Sequence, residues 1–197
     1  YRIVYTDRAA RSVAHNNLIP FARNIVRLPG LCSPIFEQNF DIEDIRKDVV
    51  FLGRFVDEKQ PNLAIEAIVE FMKSGWTGNF WIIGKGPSLN SMKEVLRLKP
   101  EASHRIHIVE NATDDAVIEL LKKSFALLHT SKREGYGLAS VEAAYLGTPS
   151  ILLNYPSNAA LDLRISPDLV VDELNPAGIA TKLEKAFKEQ IMLRQVT

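Results

Sequence analysis

Two cations, Arg54 and Lys59, follow the apolar run Val49–Leu52 and Gly53, and Pro61 comes shortly after them. A guanidinium and an ammonium on a loop that leads into a helix can grip a diphosphate. The helix N-terminus adds partial positive charge and free amides to their charge. Taken alone, the same two residues also fit a pair of solvated surface charges. A second stretch, Gly84-Lys85-Gly86-Pro87, allows a tight turn and close approach of the backbone to a ligand. It is not a full dinucleotide fingerprint, because Leu89 stands where a third glycine belongs and the turn does not follow the first strand. A plain structural turn is the simpler account of it. The third stretch is Glu134-Gly135-Tyr136-Gly137-Leu138-Ala139-Ser140-Val141-Glu142. Free N–H groups of Gly135, Tyr136, Gly137 and Leu138 at a helix start would bind an anion. A carboxylate beside them repels phosphate, but it suits hydroxyl groups, which donate hydrogen bonds to it. Glu142 falls on an otherwise apolar helix and so requires a partner.

The other polar candidates carry less. His15, His104, His107 and His129 show no ligand spacing, and His107 and His129 fall in strands, packed or hydrogen-bonded there. Trp76 and Trp81 read as core or loop anchors. Lys122-Lys123 and Lys132-Arg133 read as solvated faces, the latter pair close to the third stretch. Cys32 is the only cysteine, which excludes a disulfide within the chain and a thiolate metal cluster and fits a reducing compartment. Lys+Arg and Asp+Glu both number 24. No global field therefore recruits nucleic acid or anionic lipid, and any anion must be held locally.

These residues need a frame, and the apolar pattern supplies one. The 197 residues are 46% hydrophobic, enough for a central sheet covered on both faces. From Val49 onward, short continuous apolar runs alternate with amphipathic stretches. Strands are predicted at Val49–Leu52, Phe80–Ile83, Ile106–Val109, Phe125–His129, Ser150–Leu153 and Leu169–Val171. Helices are predicted at about Asn62–Lys73, Ser88–Leu96, Thr113 or Asp114 to Lys123, Leu138–Leu146 and Asn175–Gln190. Strands that are apolar throughout, each followed by a helix, imply parallel pairing buried on both faces. The expected fold is an α/β, doubly wound, parallel six-stranded Rossmann-like sheet. Its right-handed crossovers put every strand's carboxyl end on one edge, where ligands bind. Residues 1–30 fit less well, with short strands at Arg2–Tyr5 and Asn24–Arg27, a helix at Arg8–Asn16 and a turn at Pro29-Gly30. Ser33–Lys47 is polar and loop-like. The chain opens at Tyr1 with neither Met nor an apolar leader, and reads as a piece of a longer protein.

In order along the chain, these motifs resemble the C-terminal domain of glycosyltransferase family 4, which has the two-domain GT-B architecture. The residues that match are Gly53-Arg54 with Lys59, Ile82–Pro87, Thr130-Ser131 ahead of Glu134, and the Glu134 and Glu142 pair. Glu142-Ala143-Ala144 through Gly147-Thr148-Pro149 matches as well. The likeness covers about residues 47–155, and the carboxylate pair with its glycines contributes most.

That resemblance implies a retaining transfer of sugar from a nucleoside diphosphate, UDP- or GDP-linked, to a saccharide or lipid-linked acceptor. Arg54 and Lys59 would neutralise the diphosphate and stabilise the leaving group, without a metal or other cofactor. Glu134 would meet the transferred sugar's hydroxyls, and the backbone from Gly135 to Leu138 would hold sugar or phosphate. Gly53, Gly84 and Gly86 would shape the donor loops, Glu142 would bind the ribose, and Val109 and Glu110 would lie against the base. Residues 1–46 would be a remnant of the N-terminal domain plus a hinge, and 47–197 the nucleotide-sugar domain. Lacking the acceptor domain, this length of chain is expected to bind donor without turning it over. The family implies polysaccharide synthesis in the cytoplasm, with peripheral association at the inner face of the cytoplasmic membrane. Two departures stand out: Gln60 replaces a glycine common after the lysine, and no glycine-containing segment is recognisable in Tyr155–Ser166. Two rival readings remain, a nicotinamide-dependent oxidoreductase and a non-catalytic module that binds sugar nucleotides. The first is weakened by the missing third glycine, and the second by retention of Arg54, Lys59, Glu134 and Glu142.

Overall fold

A computed structural model describes residues 46–164 and 166–195, with two short strands ahead of them, β1 (Ile3–Val4) and β2 (Ile25–Val26), which pair in parallel. The helix expected at Arg8–Asn16, the turn at Pro29-Gly30 and most of the polar stretch from Ser33 lie outside the described residues.

From Asp48 onward the expected alternation is present. The strands are β3 (Asp48–Leu52), β4 (Phe80–Ile83), β5 (Ile106–Val109), β6 (Ser124–His129), β7 (Ser150–Leu153) and β8 (Val170–Val171). The helices are α1 (Pro61–Met72), α2 (Leu89–Arg97), α3 (Pro100–Ser103), α4 (Asp114–Lys123), α5 (Leu138–Tyr145) and α6 (Pro176–Gln195). Three differences from the sequence reading stand out, two of them with a local cause. Leu169 is in a 3-10 turn, Pro167–Leu169, in which Asp168 N donates to Ser166 Oγ, so β8 is one residue shorter. Pro100 opens the extra helical turn α3, because proline suits a first helical position. Finally, α6 continues past Gln190.

The six strands from β3 onward form one parallel sheet in the order β5-β4-β3-β6-β7-β8. The chain moves outward from β3 through β4 to β5, then returns to lay β6 on the other side of β3. That reversal leaves a crevice beyond the carboxyl ends of β3 and β6, the place where doubly wound sheets take ligands.

Both faces of the sheet are covered. Val49 and Phe51 of β3 pack with Phe71 of α1 and Leu183 of α6, while Val50 between them packs with Ile118 and Leu121 of α4 and Leu146. Because successive residues serve opposite layers, the strand reads as continuously apolar. Thr113 caps α4 by accepting from the amide of Ala116, and acidic Asp114 and Asp115 at its start oppose basic Lys122 and Lys123 at its end, complementing the helix dipole. Thr113→Ala is expected to cost about 1 kcal/mol in urea denaturation. An unchanged midpoint would remove the cap from the account of this helix.

Candidate functional site

A cleft of about 380 Å³ opens at the reversal point, lined by Gly53, Arg54, Lys59, Glu134, Tyr136 and Glu142 among others. Two loops from different parts of the sequence form its walls, and specific bonds tie them together. Thr130, just past β6, donates from Oγ1 to the carbonyls of Lys59 (2.6 Å) and Gln60 (3.2 Å). Lys132 N donates to Glu58 O at 2.8 Å. The β3 loop therefore cannot move away from the β6 loop, and Lys59 is brought onto Glu134.

The β6 loop is braced from its other side by the chain after β7. Glu134 N donates to Ser157 O, and Ala159 N to Glu134 O. Asn158 is buried, donating to Leu153 O and accepting from Ala160 N. Gly137 then turns the chain into α5 with φ 93°, in the left-handed region. A Cβ there would come within 2.6 Å of the Ala160 methyl, so glycine is required twice over. Sequence reading found no recognisable motif in this bracing segment; Asn158 capping a turn was the available signal.

Among the described residues, the backbone amides of Gly135, Tyr136, Gly137, Leu138 and Ala139 have no hydrogen-bond acceptor. They lead into the start of α5, beside an exposed Arg54 that forms no ion pair with a described residue. The cleft thus combines fixed backbone donors, one uncommitted guanidinium and one ammonium.

The carboxylates differ in character. Glu134 pairs with Lys59, and its Oε1 also accepts from Ser131 Oγ at 2.9 Å and His129 Nε2 at 2.7 Å. Burial works to raise the Glu134 carboxyl, but hydrogen bonds and charge from His129 and Lys59 overcome it and hold the group at about 2. Glu142 is half-buried, makes no hydrogen bond to a described residue, and is pushed upward by burial and then by Asp114. An ionised Glu142 therefore costs folding free energy at neutral pH, because its folded pKa exceeds its unfolded one. Glu142→Gln is expected to raise the melting temperature at pH 7, and a lower one would show that this carboxylate supports the fold.

The other predicted site residues stand elsewhere. Gly84 and Gly86 hold β4's outgoing loop against β3's: a Cβ on Gly84 would fall 1.9 Å from Gly53 O, and one on Gly86 2.5 Å from Phe55 O. Val109 ends β5, two strands from β3 on the same sheet edge, its carbonyl accepting from Gly84 N; Glu110 follows it and is exposed. Gln60 has φ 49°, a left-handed conformation natural to glycine. His107 bonds Asn79 and stacks on Trp81, whose Nε1 donates to Asp48, while Trp76 is buried and donates to Lys47 O. The sequence alone does not single out His129, Ser131 or Ser140 as site residues, although His129 and Ser131 bond Glu134 and Ser140 bonds His129.

Another cleft, of about 300 Å³, opens between Arg46, Pro149 and Gln190. The Arg46 guanidinium is turned inward there, onto the carbonyls of Leu146 and Gly147 and the Thr148 hydroxyl. Among the described residues no group of acidic, histidine or cysteine side chains could hold a metal ion, and no helix is long and apolar enough to cross a membrane.

Known proteins share this fold. The sequence profile of the family described as "Glycosyl transferases group 1" matches residues 34–197. The serotype-specific mannosyltransferase WbdA of Escherichia coli is 31% identical over 108 residues, which are 54% of this chain and 13% of WbdA. The chain thus spans a small part of the curated relatives it matches. Among solved structures, a variant of S. aureus TarM in complex with Fondaparinux, alpha-GlcNAc-glycerol and UDP superposes with a TM-score of 0.79 at 19% identity, over 95% of this chain and 37% of that one. Anabaena HepE in complex with UDP and glucose superposes with a TM-score of 0.74 at 14% identity, over 95% of this chain and 54% of that one.

Proposed function

The chain belongs to the glycosyl transferases group 1 family, and from that premise we propose that it is the donor-binding domain of a retaining, family 4 glycosyltransferase with the GT-B architecture. Residues 47–197 form that domain, and 1–46 belong to the preceding domain and the hinge. The observation that carries the reading is the shared cleft, where Arg54, Lys59 and the amides of Tyr136, Gly137 and Leu138 meet two carboxylates at the sheet's reversal point; Gly135 stands outside its lining.

In this reading the diphosphate lies against the start of α5 between Arg54 and Lys59. Transfer breaks the bond from the sugar's anomeric carbon to the phosphate oxygen, and the electron pair leaves with that oxygen. The acceptor hydroxyl forms the new bond on the same face and passes its proton to the departing phosphate oxygen. As the leaving oxygen gains charge, the sugar acquires oxocarbenium character. Fixed cations and amides stabilise that charge without having to reorganise. Arg54 and Lys59 thus do the work of a cation. Glu134, ionised at any physiological pH, accepts hydrogen bonds from the sugar, and Glu142 accepts them from the ribose.

The acceptor is a saccharide or a lipid-linked saccharide, engaged through the partner domain of a longer protein. The product is a surface polysaccharide, made in the cytoplasm or at the inner face of the membrane. Similarity to a mannosyltransferase makes a mannose-bearing nucleotide the first donor to test, and UDP in the superposed structures makes uridine nucleotides the second. A thermal-shift panel of sugar nucleotides, with NADH included, tests the assignment. Stabilisation by a UDP or GDP sugar is expected, whereas stabilisation by NADH alone would sink it.

A further inference from the structure

We propose that His129 is a positioning residue that aims the Glu134 carboxylate at the donor sugar, with Ser140 fixing the imidazole ring. This rests on the donor-domain reading above. His129 is the last residue of β6 and only 4% exposed. Its Nε2 lies 2.7 Å from Glu134 Oε1, and its Nδ1 lies 3.1 Å from Ser140 Oγ.

The proton on this ring is determined by its neighbours. An ionised carboxylate can only accept, so the hydrogen between the two groups belongs to Nε2. Nδ1 then accepts from the Ser140 hydroxyl in a neutral ring, or donates to it in an imidazolium. Nε2–H points at Glu134 in either case.

What the contact achieves follows from where the donors fall. The outer torsion of a glutamate is broad and roughly two-fold, so nothing intrinsic orients its carboxylate. Lys59, Ser131 and His129 all act on Oε1. Among the described residues none donates to Oε2, which is left as the oxygen for a ligand hydroxyl. Lys59 reaches Glu134 on a flexible stem and the buried Ser131 from the same loop, whereas His129 is buried at the end of a strand and is the member of the three held by the sheet. Ser140 belongs to α5, whose first amides face the cleft. One ring therefore links the sugar-facing carboxylate to the phosphate-facing helix start, and keeps both parts of the site in register.

The test separates sugar recognition from nucleotide recognition. Calorimetry gives the affinity of the protein for UDP and UDP-glucose, and for GDP and GDP-mannose, with the base that the wild type prefers. His129→Phe retains bulk without a donor, while His129→Gln places an amide nitrogen near the position of Nε2. His129→Phe is expected to weaken the sugar nucleotide by about 10-fold or more while changing the bare diphosphate less than about 3-fold. His129→Gln is expected to restore most of that difference. Equal losses for sugar nucleotide and bare diphosphate, or no rescue by glutamine, would overturn the positioning role. No binding of either ligand to the wild type would overturn the donor-domain reading itself. A further measurement needs no variant: nitrogen-15 spectra of the wild-type histidines are expected to show His129 protonated at Nε2. A ring protonated at Nδ1 alone would end the proposal even if the Phe variant fails to fold.

Discussion

Arg54→Ala is expected to abolish calorimetric binding of UDP and GDP while leaving the melting temperature unchanged. The two halves of this result have separate causes. Arg54 is exposed and has no ion pair with a described residue, so the fold loses little when it is removed. Toward a diphosphate, a guanidinium offers two parallel charge-assisted hydrogen bonds, each about 1.5–3 kcal/mol. Losing both weakens binding by more than about 100-fold, which takes it out of calorimetric range. In transfer assays of the full-length protein, the same change should remove roughly 2–4 kcal/mol of transition-state stabilisation. Arg54→Lys retains charge without the fork and should fall between the two. Unchanged affinity in the alanine variant would remove Arg54 from the site.

Glu134→Gln should act on the fold as well as on the ligand. The carboxyl lies at about 2 rather than its ordinary 4.5, although its side chain is only 12% exposed. Its folded pKa is below its unfolded one, so its contribution is fully present above about pH 4.5. That contribution fades as pH falls and is gone near pH 2. Discounted for partial solvent screening, it amounts to on the order of 2–3 kcal/mol. Urea denaturation should therefore show the glutamine variant weaker at pH 7, with the gap to wild type closing as the pH falls from 4.5 toward 2. A gap that is independent of pH would mean that the variant disturbs packing rather than charge. Sugar-nucleotide affinity should fall with the substitution, since a neutral amide accepts from a hydroxyl less strongly than a carboxylate.

Much of this molecule is legible in its sequence. Runs such as Phe80-Trp81-Ile82-Ile83 declare a strand buried on both faces, and Pro61 and Gly75 bracket a helix by their own backbone limits. Arg54, Lys59, Glu134 and Glu142 were recognisable as a group because the order of the motifs is itself information. The 20-residue α6, the short turn at Pro100 and the first residue of β8 were misjudged by small margins. Two of these have causes a few residues away: Pro100 suits a first helical position, and the Ser166 hydroxyl caps the turn that takes Leu169 out of β8.

The sequence alone determined residue chemistry and strand alternation, since side-chain type and apolar period are local properties. It took the fold to bring Lys59 to Glu134, to leave Glu142 without a hydrogen-bond partner among the described residues, and to set His129, itself held by Ser140, against the carboxylate. Those outcomes depend on β6 returning to lie beside β3 and on Asn158 bracing the loop between them. A contact between residues 75 apart, such as Lys59 with Glu134, leaves no periodic trace in the chain.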